Sequence, residues 1–564
     1  PDKPFILVEY CHAMGNGPGD LEDYWEVILA DEHACGGFVW EWCDHTVLAG
    51  RDETGREIHL YGGDHGETVH DANFCVDGLV ASDRTPHAGL LELKNVQRPA
   101  RVVDYDQERG LVTLRNDLDF TDLDQYVRLS YEVRCDGAVV ESGPLELPGP
   151  VPPHSTVTLS CAPAVPDAGR CHLLITSRLR RQVPLLEPGH ELGFDEIPLA
   201  NADPRHRAVA KTLGPVTEAL EAGADVAARP NGAVGCADPA GAVGAGSAVG
   251  AADAGSAVGA GSAADAADAV RDGCETTLTG GDLTVVVDTR SGLPRSLRVG
   301  DRELLDRPME LNIWRAPTDN DRHIRRQWER AGYDRAGAQA YSTRIIRRRG
   351  AVAVHAEMSV SATALQPALR VRAVWTVTES GELAVNLRAR KSEGFPCLPR
   401  FGLRLFLPSS MHQVAYYGLG PGESYIDKHR SCHHDEFRTT VAELHEGCIR
   451  PQESGSRADC DYVALTEGAD DALELTAVGL RPFSFNVSAY TQEELTETAH
   501  DAELSPCGST VLCLDGAMAG IGSASCGPEL RPDYRVDEDA LGLDLVLLPL
   551  ISSPIPNSAH NEVN

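Results

Sequence analysis

The sequence predicts a multidomain, β-rich chain that opens on a strand–helix–strand unit, and three observations predict it. Phe5–Val8 and Gly37–Trp42 are short continuous apolar runs, the pattern of parallel strands buried on both faces. Between them Leu21, Tyr24, Trp25, Ile28 and Leu29 recur at helical spacing. From about Pro99 onward the period changes to two, as in Val127, Leu129, Tyr131 and Val133, with turn signals such as Asp136-Gly137 and Pro152-Pro153 between the runs.

The first unit carries the chemistry-bearing residues. The first strand ends on Glu9, followed at once by Tyr10, His12 and a Met14-Gly-Asn16 turn, and the second holds Trp40-Glu41-Trp42. In a β/α barrel the carboxyl ends of the strands are where active sites lie. Residues 99–200 read as an antiparallel sandwich of the immunoglobulin kind, with strands at Leu111–Leu114, Tyr126–Val133, Thr156–Leu159 and His172–Thr176. Residues 201–274 read as a linker. Gly246-Ser-Ala-Val-Gly-Ala251 recurs at Gly255–Ala260 in a tract of Ala, Gly, Ser, Val and Asp, with too little large apolar surface to offset its ordering entropy. A short helix over Thr217–Ala227 is the one element expected there. Residues 275–564 return to strands, including Leu283–Val287, Arg370–Thr378 and Glu382–Ala389.

Composition excludes several function classes. A net charge of −35 argues against nucleic acid and anionic membranes as partners. No apolar run approaches the ~20 residues of a membrane span, and no signal-peptide pattern opens the sequence. The sixteen cysteines include no Cys-x-x-Cys pair and read as thiols of a reducing compartment, so cytoplasm is expected. His33, His45, His65 and His70 show no regular metal spacing, and Cys432-His-His-Asp435, lacking a second ligand pair, reads as a polar loop. Trp314–Asp321, despite its Asp-Asn-Asp, reads as a sandwich corner. Pro1 stands so close to the first strand that earlier barrel strands have no room, so one part of a longer or split enzyme is expected.

The run Glu9-Tyr-x-His-Ala-Met-Gly-Asn16, with Tyr61-Gly-Gly-Asp64, Asn73–Val80 and Ser82–His87 after it, resembles the β-galactosidases of glycoside hydrolase family 2. Tyr417–Tyr425, Leu512–Gly516 and Gly520-Ile-Gly522 resemble the large C-terminal β-sandwich of the same family. The resemblance implies the C-terminal portion of a (β/α)8 barrel over residues 1–98, then the sandwich, the flexible linker and the large C-terminal sandwich. It also implies Glu9 as nucleophile of a retaining hydrolase of β-galactosides, His12 and Trp40 as sugar contacts, and Phe74 and Asp77 as ligands of a Na+ ion beside the sugar, with Asp77 also a substrate contact. Asp77 stands where the best-known members carry Asn. Mg2+ is implied for the complete enzyme, but its ligands and the acid/base map to no residue of this chain. An aromatic wall for the leaving sugar is expected at position 511, where this chain has Val511, which leaves the aglycone open. A homo-oligomer, or a partner chain carrying the N-terminal half, is expected. The alternatives are a non-catalytic carbohydrate-binding or structural remnant, and a β-glucuronidase. The latter's anionic substrate calls for an Arg or Lys near His12 and Trp40, and Pro4–Asp44 contains none.

Overall fold

The computed structural model describes residues 3–213, 267–468 and 472–551. Strand β1 (Phe5–Tyr10) runs parallel to β2 (Ala34–Val39), and helix α1 (Leu21–Ala30) joins them. The helix turns Leu21 and Ile28 inward and lays Trp25 against β1, where its indole N–H donates to the Tyr10 hydroxyl at 2.9 Å. The hairpin β3 (Val47–Arg51) and β4 (Glu57–Leu60) follows, then helix α2 (Ala88–Val96). One expectation fails here. Phe5, Ile6, Val8 and Phe38 are not buried on both faces but exposed, because β1 and β2 form a two-stranded sheet with no further strand beside them among the described residues.

Two antiparallel sheets then enclose one core. The first pairs β5 (Ala100–Asp106), β6 (Leu111–Asn116) and β9 (Thr156–Ser160). The second contains β7 (Val127–Cys135), β8 (Ala138–Leu145), β10 (Cys171–Leu179) and β11 (Glu191–Leu199), in the order β11-β10-β7-β8. The predicted alternation is why β7 buries Val127, Leu129 and Val133, which meet Val112 and Leu114 of the facing sheet.

The tract read as linker is built in at both ends. Val209 and Leu213 pack on Ala384, Val478 and Val546, and Asp268–Asp272 forms strand β12, antiparallel to β13 (Glu275–Gly280). The interior of the tract, the Gly/Ala repeats and the helix expected at Thr217–Ala227 lie outside the described residues. Strands β14 (Leu283–Asp288), β15 (Leu293–Val299) and β16 (Arg302–Glu303) complete a five-stranded sheet.

A twelve-stranded sheet dominates the remainder. Its strands are β17 (Arg307–Asn312), β18 (Gly337–Arg348), β19 (Ala351–Ser361), β20 (Leu369–Thr378), β21 (Leu383–Lys391) and β22 (Arg400–Pro408). They continue as β23 (Gln413–Gly420), β24 (His433–Thr440), β25 (Arg457–Thr466), β26 (Leu473–Ser488), β27 (Ser509–Met518) and β28 (Ala540–Ile551). Val371, Ala373, Trp375 and Val377 face the core, as their period requires, and the Trp375 indole N–H donates to the Gly292 carbonyl at 2.8 Å. His433-His434-Asp435, read as part of a loop, instead opens β24, whose backbone ladder with β23 fixes it as a strand.

Candidate active site

Glu9 is the penultimate residue of β1, and its side chain is exposed at the carboxyl end of the strand. Tyr10 pairs with Val39, so Trp40 emerges at the same level. The Trp40 amide donates to the Tyr10 carbonyl at 3.3 Å, and the Ala13 amide donates to the Trp40 carbonyl at 2.7 Å. These bonds fold the His12–Asn16 turn back over the strand ends. The Trp40 indole, 43% exposed, presents a flat wall beside them.

Asn73–Val80 then lines up against the second strand's extension. The Glu41 amide donates to the Asp77 carbonyl at 2.7 Å, and the Leu79 amide to the Glu41 carbonyl at 2.9 Å. Asp44, with no assigned role from sequence, holds this pairing in place. Its carboxylate accepts the Gly78 amide at 2.8 Å and lies 2.9 Å from His87 Nε2. Only glycine fits at 78, since a Cβ there would stand 2.2 Å from the Asp44 backbone nitrogen.

The result brings Glu9, His12, Phe74 and Asp77 into one cluster. His12 is 3% exposed; its Nδ1 lies 3.2 Å from Ser525 Oγ and its ring centroid 5.4 Å from that of Phe74. Burial lowers its pKa, against the opposing pull of the Glu9, Glu41 and Asp319 charges, so the imidazole is neutral at physiological pH. Asp77 is 1% exposed, and burial, reinforced by the Glu41 charge, pushes its carboxyl up to about 7. Its Oδ1 is buried without a hydrogen-bond partner, and its Oδ2 lies 3.6 Å from His12 Nε2. An orphaned carboxylate oxygen is the feature expected of a hard-cation ligand, so Asp77 fits the alkali-metal role.

The C-terminal sheet supplies a share of this site that sequence reasoning largely missed. Asp319 accepts both available bonds of the Asn73 side-chain amide, at 3.0 and 3.1 Å, and Gln452 Oε1 accepts the Asn16 amide at 3.1 Å. Lys428 donates to Asn16 Oδ1 at 2.7 Å, which clamps the Met14-Gly-Asn16 turn from below. Arg322 stacks over the Phe74 ring at 5.2 Å and donates to the Ser525 carbonyl at 2.9 Å. A guanidinium therefore does stand beside the site, although Pro4–Asp44 holds none.

Val511, by contrast, is not a wall of this site. It is 2% exposed, on β27 opposite Phe406 and packed with Cys513. The residue that the C-terminal region delivers to Glu9 is Cys526: its Sγ, a Glu9 carboxylate oxygen and a His12 ring nitrogen all lie within 4.8 Å of one another. The signal was at hand, since Cys526 lies four residues beyond Gly520-Ile-Gly522. The Asp-Asn-Asp triplet is used structurally, as a corner: Asp321 receives a two-pronged pair from fully buried Arg315 at 2.9 and 2.7 Å.

Comparison with known proteins agrees with this organisation. Residues 1–102 match the family described as "Glycosyl hydrolases family 2, TIM barrel domain". Residues 112–200 match "Beta-galactosidase, domain 4", and residues 279–547 match "Beta galactosidase small chain". The chain is thus similar to the glycoside hydrolases of family 2. Within that class it resembles the C-terminal portion of a β-galactosidase. It is 35% identical over 536 residues to the β-galactosidase of Actinobacillus pleuropneumoniae, covering 95% of this chain and 47% of that protein. It is 32% identical over 538 residues to the β-galactosidase of Staphylococcus xylosus, covering 95% and 48%. The chain therefore spans about half the length of the curated relatives it matches. Among the described residues no helix is long and apolar enough to cross a membrane.

Proposed function

We propose that this chain supplies the nucleophile and the sugar-binding side of a retaining β-galactosidase. The observation that carries the reading is the placement of Glu9: a solvent-facing carboxylate at the carboxyl end of a parallel strand, flanked by a buried neutral imidazole and an exposed indole. In the reaction a Glu9 oxygen attacks the anomeric carbon while the bond to the leaving oxygen breaks. A second carboxyl, roughly 5–5.5 Å away in retaining enzymes, protonates that oxygen. Water then cleaves the galactosyl ester, with net retention. Trp40 offers a flat face to the C–H side of the sugar, and His12 accepts or donates at a hydroxyl. Phe74 and Asp77 would hold Na+ beside that hydroxyl, which such an ion orients by direct coordination.

The acid and the Mg2+ ligands are assigned to elements outside this sequence, on a partner chain or an N-terminal half. The exposed Phe5, Val8 and Phe38 suit contact with further barrel elements, since apolar strand faces of this kind are stable only when covered. The same reading gives residues 1–98 as barrel, 99–200 as immunoglobulin-like sandwich and 275–564 as the large sandwich, in a cytoplasmic enzyme.

The test is intact-mass analysis after incubation with a dinitrophenyl 2-deoxy-2-fluoro-β-galactoside, whose leaving group needs little acid assistance. The expected result is one label on Glu9, absent in Glu9→Gln. A folded chain that binds galactosides yet acquires no label, even with the N-terminal half added, would sink the catalytic reading and favour a binding remnant.

A further inference from the structure

The juxtaposition of Glu9, His12 and Cys526 has chemistry that galactoside hydrolysis does not use. A carboxylate oxygen, an imidazole nitrogen and a thiol sulfur, all within 4.8 Å of one another, form the mixed O/N/S donor set that borderline-soft cations select. Hard Na+ and Mg2+ are poor matches for sulfur. We infer that these three residues form a site for a divalent cation of the zinc class, and that its occupancy blocks the sugar pocket.

Three features of the site favour loading. Bonds of about 2.0–2.3 Å to a tetrahedral zinc put donors roughly 3.5 Å apart, so closure takes only a modest contraction. Glu9 and Cys526 are both exposed and can make that movement, whereas His12 is fixed. The His12 ring is held from two sides, Nδ1 lying 3.2 Å from Ser525 Oγ and Nε2 3.6 Å from Asp77 Oδ2. Asp77 adds an acidic group behind the imidazole. Arg322 opposes a cation, but its guanidinium is tied to the Ser525 carbonyl and the Phe74 ring. On binding, the Cys526 proton passes to solvent as the S–metal bond forms. No electron transfer is involved, and the fourth position is left for water.

A metal on Glu9 occupies the oxygen that would attack the sugar. This blocking half rests on the proposed role of Glu9, but the metal site itself does not. The test uses Co2+ as a spectroscopic stand-in on the full chain. One equivalent should give tetrahedral d–d bands and a thiolate-to-cobalt charge-transfer band that Zn2+ displaces. Cys526→Ser should abolish the charge-transfer band, and His12→Gln should weaken Co2+ binding at least tenfold. Cys35→Ser and Cys274→Ser, at the other two exposed thiols among the described residues, should leave it intact. Absence of the band in the unaltered chain, or its persistence in Cys526→Ser, overturns the site. Because Cys526 is exposed, that variant does not disturb the core. Fluorosugar labelling of Glu9 should stop in Zn2+ and resume with a chelator. Labelling at an unchanged rate with metal bound overturns the blocking, and no labelling even without metal overturns the catalytic reading while the cobalt spectrum still decides the site.

Discussion

Two stacked histidines join the first sandwich to the C-terminal sheet, and they should give the docked pair a stability maximum near pH 6.5. His172 of β10 and His434 of β24 lie parallel, with centroids 4.4 Å apart and planes inclined by 1°. His434 is gripped from both sides, Nδ1 by Glu196 at 2.7 Å and Nε2 by Asp459 at 2.8 Å. Burial opposes its charge, but these carboxylates outweigh burial and push its pKa up to about 8. His172 has no such partner. Its Nδ1 is buried without a hydrogen bond, and burial lowers its pKa to about 4. Arg170 stands nearby, bonded to Asp459 at 2.6 Å and Asp461 at 2.7 Å, and remains charged throughout.

The signs are opposite. His434 holds a proton when folded that the unfolded chain has lost, so its stabilisation is complete below pH 6.5 and disappears as pH rises through 8. At about 1.36 kcal/mol per pH unit this is about 2 kcal/mol. His172 binds a proton more readily when unfolded, so stability is lost as pH falls from 6.5 toward 4, by about 3 kcal/mol on the same scale. The assay is urea-dependent hydrogen exchange in peptides spanning β10 and β24, which reports local opening in a chain too large for one two-state transition. His434→Gln should lose about 2 kcal/mol of protection at pH 6 and almost nothing at pH 9. His172→Phe should flatten the acid limb alone. A His434→Gln deficit that is constant from pH 5 to 9, or grows with pH, would refute the reasoning.

Gly78→Ala, which drives a Cβ into the Asp44 backbone, should cost about 1–3 kcal/mol and slow Glu9 labelling while leaving the sandwich cores intact by near-ultraviolet circular dichroism. Arg400, fully buried against Asp515 and Glu453, should be indispensable: Arg400→Ala strands two buried carboxylates at a cost of about 3–5 kcal/mol, visible as a large fall in thermal midpoint. Replacing choline with Na+ at constant ionic strength should protect the segment around Phe74 and Asp77 from exchange. Asp77→Ala should remove that protection, and equal protection in the variant would exclude Asp77 as a ligand.

What was legible in the sequence was whatever a local period or a contiguous run encodes. The strand ending at Glu9, the amphipathic α1 and the alternation of β7 and β20 each follow from one face needing burial, and the structure forms them where those patterns lie. The burial of β1 did not follow, because a strand's apolar run specifies what its faces require and not which neighbours cover them. The site divides the same way. Glu9, His12 and Trp40 share one strand–helix–strand unit, so the pairing of two neighbouring parallel strands brings them together. Arg322, Ser525 and Cys526 arrive from more than 280 residues away, on loops whose position is set by the packing of the large sheet against the Asn16 turn. The pair His172–His434 is separated by 262 positions and acquires its opposite proton affinities only when Glu196 and Asp459 hydrogen-bond one ring and not the other. Cys432-His-His-Asp435 looked inert because its neighbours in sequence offer no partner. Its chemistry is created by the interface, and that dependence is why perturbing His434 reads the docking of the two sheets more directly than any change within either core.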